Sequence, residues 1–315
     1  MSTAAFRTIP KGKTLFKRFR ERYQLLIFMA IPFAWLIIFR YVPMVGAQIA
    51  FRRYTMQGGI WGSEWVGVDN FVKFFTSYQF FRVLPNTIRI SLYSLLAGFP
   101  IPIILALCLN AMRSAAYRKT VQTVIYLPHF ISIVVLVGMM MTLFNPRIGI
   151  YGILGQLIIG TYPKDVFAAA GNFPHMYVWS GIWQNMGWST IIYTAALSSV
   201  DMELHEAAQI DGASRLARVI HIDFPVVLPT ATILLILNSG NIMSVGFEKV
   251  FLMQNNLNLS TSEVISTYVY KVGMAAGTSD YSYSTAIGMF NSVVNMIMLS
   301  IVNYVSGKLS SSSLW

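Results

Sequence analysis

Charge is what this chain has least of. Of its 315 residues, 11% are charged and 55% are hydrophobic, and the mean hydropathy is +0.58. Soluble domains carry about 25% charged residues, so a water-exposed fold is excluded and a bilayer is the medium that suits the composition. The single cysteine, Cys108, lies in an apolar run, which excludes a disulfide framework or a cysteine-ligated metal site built from this chain alone. No Walker-type Gly-rich lysine loop occurs, so the chain is not itself an ATP-driven motor. Internal repeats, low-complexity tracts and flexible linkers are also missing, and one membrane domain accounts for the chain.

What is present is a series of apolar runs. Those at roughly 24 to 44, 86 to 110, 121 to 144, 176 to 198, 226 to 247 and 284 to 305 are long enough to cross a hydrocarbon core. They do not alternate as strands do, and an open sheet would leave backbone groups unpaired in lipid. The expected fold is therefore an all-α integral membrane protein with six transmembrane helices. The first run follows a basic segment and resembles a signal peptide, with Val45-Gly46-Ala47 imitating a cleavage site, but its length and the five later runs predict a retained anchor.

The net charge of +11 is distributed as membrane orientation requires rather than as a nucleic-acid face. Arg7, Lys11, Lys13, Lys17, Arg18, Arg20 and Arg22 precede the first run; Arg113, Arg118 and Lys119 join the second and third; Arg215 and Arg218 lie between the fourth and fifth; Lys308 follows the last. All fall on one side, so both termini are expected in the cytoplasm. Lipid headgroups, not nucleic acid, are the expected counterpart. Trp61 and Trp65, in the first outer loop, are expected at the interface.

No Asp, Glu or Lys lies in the interior of any run, and Arg40 and Arg89 fall near the extracytoplasmic ends, where they can snorkel. The other intramembrane polar residues are mostly neutral: Gln184, Asn185 and Ser189 in the fourth, Asn238, Ser239 and Asn241 in the fifth, Asn291 and Asn295 in the sixth. A proton or cation relay is poorly served by this set. At about 1.5 Å per residue the amides reach comparable depth on three helices. Amides both donate and accept, as sugar hydroxyls require, and Trp183, Trp188 and Tyr193 offer rings for the apolar faces of pyranoses. Each single Asn is more often a bond between helices. The candidate substrate lining is Gln184, Asn185, Trp188, Ser189, Tyr193, Asn238, Asn241, Asn291 and Asn295. Gly240 either loosens the fifth helix or lets a neighbour pack closely. His129 reads as a structurally satisfied histidine, the four histidines form no metal-ligand pattern, and Asn258-Leu259-Ser260 matches a glycosylation sequon.

The connection from 201 to 225 reads as helix, turn, helix. Asp201 caps the first helix, Gly212 stops it in the left-handed region, Ser214 caps the second, and Pro225 limits the second helix before the next span. Leu204, Ala207, Ala208 and Ile210 give the first helix an apolar side. Composition alone makes this an ordinary amphipathic connector.

Glu206-Ala207-Ala208, then three residues, Gly212, nine residues, Ile222, one residue and Phe224-Pro225 resembles the signature loop of the permease subunits of ATP-binding cassette importers, the EAA loop. The family usually has Leu where this chain has Phe224, and Asp211-Gly212-Ala213 strengthens the match. The resemblance extends from about residue 86 to the C-terminus. Asn86-Thr87, Leu127-Pro128 and the closing Ser313-Leu314-Trp315 resemble the subgroup that imports oligosaccharides released from polysaccharides.

The resemblance implies a five-helix core at 86–306 with a coupling loop at 201–225, preceded by a basic tail at 1–23 and a first helix with its outer loop at 24–85, and followed by a tail at 307–315. It implies that Glu206, Ala207, Ala208, Asp211, Gly212 and Ala213 dock a cytoplasmic ATPase. It further implies a bacterial inner-membrane, multi-pass location, a second permease subunit as heterodimeric partner, two ATPase subunits, an extracytoplasmic solute-binding protein and an oligosaccharide substrate. No cofactor is expected in this chain; ATP and magnesium are expected on the partner ATPase. A permease for an amino acid, phosphate or a metal chelate is the nearer alternative. An intramembrane serine hydrolase is the remoter one, since His129 is the one histidine well inside a span and no Gly-x-Ser-x-Gly elbow accompanies it.

Overall fold

The computed structural model describes residues 23–275 and 279–309. The basic tail from Arg7 to Arg22 and the closing Ser310 to Trp315 lie outside the described residues.

The described residues are mostly helical, and among them one two-residue antiparallel ladder pairs β1 (Arg52–Arg53) with β2 (Glu64–Trp65). Helix α1 spans Tyr23–Phe51 and is followed by the ladder and by α2 (Asp69–Phe75). Next come α3 (Tyr78–Asn110), α4 (Ala115–Phe130), α5 (Ile133–Leu143) and α6 (Ile150–Ile159). Helix α7 (Phe173–Leu197) leads into α8 (Met202–Ile210) and α9 (Arg215–Ser239). Three more follow: α10 (Phe247–Met253), α11 (Ile265–Met274) and α12 (Tyr281–Leu309).

Among the described residues four helices are long and apolar enough to cross a membrane, α1, α3, α9 and α12, and a fifth span arises if α4 and α5 are one broken crossing. The expected six straight runs are corrected in three places. The run at 121 to 144 is not one helix: α4 and α5 meet at 98°. Pro128 lies in the 3-10 turn that ends α4, Ile131 and Ser132 are extended, and the Ser132 hydroxyl accepts from Val135 N–H to start α5 afresh. Hydropathy does not register a cap inside an apolar run.

The run at 226 to 247 begins earlier and ends earlier. Pro225 does not limit the preceding helix. The segment from Arg215 continues into the span because a π turn at Val219–Asp223 shifts the ladder, with Phe224 N–H bonding Val219 O, before Pro225, which lacks an N–H, takes the start of the next α segment. At the other end the helix stops at Ser239, and 240–243 form turns rather than more span. Gly240 serves close packing: a Cβ there would come within 2.7 Å of Leu299.

The second run starts at Tyr78, not 86, because Ser77 caps the helix and Pro85 lies inside it. α7 is long enough at 25 residues, roughly 37 Å, to span, but it falls short of the apolarity of the others because Gln184, Asn185 and their polar neighbours interrupt it.

Three apolar clusters hold the bundle. One joins Ile90, Leu136, Val137, Met140, Phe173, Val250 and Val264 near the α5 end; one centres on Phe74, Val83, Ile265, Tyr283 and Ile287; the third packs Ile103, Ala106, Tyr193, Leu197, Val227 and Ala231. Around these, Phe, Ile, Leu and Val side chains face outward, as a lipid-facing belt requires. α1 buries no side chain before Val45, and its last turns pack on α12.

The connections sort to two ends. At one, Arg113, Arg118, Arg215 and Arg218 line a single cleft with Asn110, His205 and Asp223. At the other, the long loops lock together. Tyr54 N–H donates to Ser282, Lys73 pairs with Asp280 at 2.9 Å, and Arg82 pairs with Glu263. Asn86 donates to the Ser260 and Glu263 carbonyls, and Thr87 accepts from Ile265 N–H, so this pair fastens the loop before α11. Asn258 of the sequon is 0% exposed and its amide is committed to Phe167 O and Met253 O, which makes it a loop staple rather than a glycan acceptor.

Candidate docking element and translocation cavity

The candidate docking element is α8 with its turn. Asp201 accepts from Glu203 N–H at 3.0 Å and Ser214 accepts from Ala217 N–H at 3.2 Å, the two caps the sequence predicts. Gly212 has φ +80, and Gly212 N–H bonds Gln209 O while Ala213 N–H bonds Ala208 O. That pair of bonds is a Schellman stop, which ties off the last carbonyls of α8.

No residue of α8 is buried. Glu206, Ala207, Asp211 and Gly212 are exposed, Ala208 and Ala213 half-buried, and Ile210 is 86% exposed. A helix that shows Ala-Ala, Ile210 and a Gly turn to its surroundings offers a shallow apolar surface with acidic residues on it. It is fixed from behind by a buried carboxylate: Asp223, 2% exposed, accepts from Asn110 Nδ2 and meets His205 Nε2, each at 3.1 Å. Arg218 Nη1 adds bonds to His205 O and Gln209 Oε1. Sequence reasoning missed Asn110, His205 and Asp223 as a group, because they come from α3, α8 and the π turn of α9.

The bundle borders two adjoining, half-open chambers. The larger, about 420 Å³, is bounded by Ser91, Ser94, Trp188, Ser189, Tyr193 and Asn238 among others, and Asn241 and Ser244 also face it. The smaller, about 330 Å³, is bounded by Gln184, Asn185, Gly181 and Lys249, and it shares Ser94, Gly98, Pro102, Tyr177 and Ser189 with the first. Of the nine residues read as substrate lining, Trp188, Ser189, Tyr193, Asn238 and Asn241 therefore meet in one chamber, and Gln184 and Asn185 in the next.

Several amides are also structural. Gln184, 7% exposed, donates to Ile131 O at 2.7 Å, which satisfies the carbonyl freed where α4 breaks. Asn185 donates to Gly181 O and meets His129 Nδ1 at 3.0 Å; the His129 ring stacks on Trp188 at 4.5 Å and 7°. His129 is thus partnered by the Asn185 amide and the Trp188 ring. Asn295 Oδ1 accepts Met243 N–H and its Nδ2 donates to Ser244, closing the turn after α9. Asn291 and Asn295 line neither chamber, and the Asn291 Oδ1 is shut from solvent without a partner.

Two features make the chambers possible. α7 crosses α4 so closely that a Cβ on Gly187 would lie 2.0 Å from Ile125 O. And the 98° break turns α5 aside, so that α10 can pack against it through Val250 and Met253. Lys249, which is not among the residues read from sequence as substrate lining, is 6% exposed and borders the smaller chamber. Ser91 and Ser94, one helical turn apart, were also missed; their i, i+3 spacing in an apolar helix was the available signal.

Residues 98–311 match the model of a family described as the inner membrane component of binding-protein-dependent transport systems. The chain is 41% identical over 298 residues to protein LplB of Bacillus subtilis strain 168, covering 94% of this chain and 92% of that one. It is 38% identical over 313 residues to the polygalacturonan/rhamnogalacturonan transport system permease protein YteP of the same strain, covering 98% and 95%. Among solved structures, it superposes with a TM-score of 0.86 and 37% identity on a chain of a bacterial alginate ABC transporter in complex with an alginate pentasaccharide-bound periplasmic protein, covering 95% of this chain and 99% of that one.

Proposed function

The chain belongs to the binding-protein-dependent transport inner membrane component family, and from that premise we propose how it works as the permease subunit of an ATP-binding cassette importer for oligosaccharides. It crosses the membrane six times, counting α7 and the broken α4–α5 pair, with both termini in the cytoplasm. α8 and its Gly212 turn seat in a groove of a cytoplasmic ATPase, and ATP and magnesium act there, outside this chain. A second permease subunit completes the pathway, and a solute-binding protein on the other side of the membrane delivers the sugar to the loops gathered around α11.

One observation carries this reading: an exposed helix ended by a left-handed glycine, anchored from behind by Asp223 to the foot of the next span. Such an element transmits a push because it is stiff, surface-presented and tied to α9 and α3 together. Closure of the ATPase pair displaces α8, and the Asp223 tie passes the displacement to the helices that line the chambers, opening them to one side at a time. The hydroxyls of Ser91, Ser94 and Ser189 and the amides of Asn238 and Asn241 suit the hydroxyls of a sugar. Relatives in this family named for sugar transport support the substrate class: YteP carries polygalacturonan and rhamnogalacturonan in its name.

The test uses the complete importer in proteoliposomes with its binding protein. Oligosaccharide-loaded binding protein is expected to stimulate ATP hydrolysis and drive sugar uptake. Gly212→Asp and Glu206→Lys should leave the protein inserted while both activities fall. Unchanged coupling in either variant would remove the docking role; stimulation by an amino acid or phosphate-loaded binding protein instead of a sugar-loaded one would replace the substrate class.

A further inference from the structure

Lys249 stands out as a buried cation without a counterion. Its side chain is 6% exposed, on α10, and its ammonium donates one proton to Tyr177 O at 2.9 Å and lies 4.9 Å from the centre of the Tyr177 ring. The other buried charges have close partners within the fold: Glu263 pairs with Arg82 and Lys271, and Asp223 accepts from Asn110 and meets His205. Among the described residues no carboxylate comes within ion-pair distance of Lys249, although Glu248 is its neighbour in sequence.

An isolated ammonium is expensive to bury. Burial alone draws the Lys249 pKa down to about 8, so at neutral pH the group is still mostly charged. Its surroundings leave room for a visitor. Lys249 borders the 330 Å³ chamber with Ser94, Asn185 and Ser189, and Gly181 opposite it carries no side chain; a Cβ there would stand 3.2 Å from Nζ. Through Ser94 and Ser189 this chamber continues into the larger one. The cavity thus presents one fixed positive charge among neutral hydrogen-bonding groups.

We infer that Lys249 reads a carboxylate on the transported sugar, and that the substrate class is acidic oligosaccharides of the uronic acid type. The statement rests on the oligosaccharide reading above and deepens it. The sugar's carboxylate supplies the counterion that the protein withholds, so binding relieves an unfavourable burial that a neutral glycan leaves in place. The hydroxyls and amides around it serve any sugar; Lys249 sets the preference for charge.

The experiment measures binding to the nanodisc-embedded permease–ATPase complex, without binding protein, by equilibrium dialysis of labelled tetragalacturonate and of the same tetramer with its carboxyls reduced to alcohols. Wild type is expected to hold the acid at least tenfold more tightly than the neutral tetramer. Lys249→Gln keeps a donor for Tyr177 O but not the charge, and should cut acid binding tenfold while neutral binding stays within twofold. Lys249→Arg should keep the preference. If Lys249→Gln does not assemble, Gly181→Ala, which crowds Nζ on a helix that accepts Ala, is expected to lower the acid-to-neutral ratio two- to threefold. Equal wild-type binding of both tetramers, an equal loss of both in Lys249→Gln, or an unchanged ratio in Gly181→Ala overturns the inference and leaves the oligosaccharide reading standing. Binding of neither tetramer by wild type overturns both.

Discussion

His205 Nε2 lies 3.1 Å from Asp223 Oδ1, a contact that ties the exposed helix α8 to the foot of α9. The same carboxylate oxygen accepts from Asn110 at the end of α3, so three elements share one buried acceptor. A polar cluster of this kind holds a surface helix in one pose, because each partner left alone would be a buried group without its bond.

Asp223→Ala is therefore expected to loosen α8 while leaving membrane insertion intact. The loss of two bonds to a charged acceptor should cost about 2–4 kcal/mol. Binding-protein-stimulated ATP hydrolysis should fall severalfold, with basal hydrolysis changed little. His205→Ala should give the same phenotype more mildly, and a His205→Ala, Asp223→Ala double variant should lose less than the sum, as residues in one network do. Additive losses would show that the contact carries nothing.

Gly212 is at φ +80, a region where a side chain is strained by about 1–2 kcal/mol and where Asn is tolerated better than other residues. The order of coupling activity should be Gly, then Asn, then Ala, then Val. A Cβ at this position meets nothing within 4 Å in the chain itself, so melting temperatures of the solubilised subunit should drop only by what the strain dictates. A larger loss of coupling than of stability assigns the remainder to the docked partner.

Gln184 closes the break between α4 and α5 by donating to Ile131 O. Gln184→Leu leaves that carbonyl unpaired in an apolar setting, a loss of about 1–3 kcal/mol. Differential scanning of the detergent-solubilised complex should show a lower melting temperature, and Gln184→Glu, which offers no amide donor, should not restore it. A melting point equal to wild type would mean that water replaces the amide.

Lys249 gives opposite signs for stability and for function. Its native pKa of about 8 lies below the ordinary 10.5, so between those values the unfolded chain binds the proton that the native state has released, and stability rises with pH across that window. Below about pH 8 both states are charged and the full burial cost is present. Lys249→Met should thus melt higher than wild type at pH 7, by an energy on the order of 3 kcal/mol less the lost bond to Tyr177. Acidic-sugar binding should move the other way, falling as pH rises through about 8. Around the ammonium, α3 contributes Ser94, α5 Ile133, and α7 Tyr177, Gln184 and Asn185; Tyr177 is the titratable group among these, and Glu248 on its own helix makes no ion pair with it. Binding that stays level from pH 6 to 9.5 would contradict this.

The sequence by itself determined what local chemistry determines. Apolar run length announced a helical membrane protein. Asp201, Gly212 and Ser214 announced helix, turn, helix, since caps and left-handed glycines act within a few residues of themselves. Trp188, Ser189, Tyr193, Asn238 and Asn241 were legible as polar or aromatic residues in apolar surroundings, and they do meet in one chamber. Tertiary structure decided whatever depends on distant partners. A hydropathy profile continues smoothly through Ile131 and Ser132, yet the helix breaks there because Gln184, 53 residues away, satisfies the freed carbonyl. The same profile runs past Ser239, where Asn295 closes the turn instead. Asn291 and Asn295 look like the other amides in sequence and face no chamber. Lys249 looks like an ordinary loop lysine until α5, α7 and α10 pack around it, because burial is a property of neighbours and not of the residue.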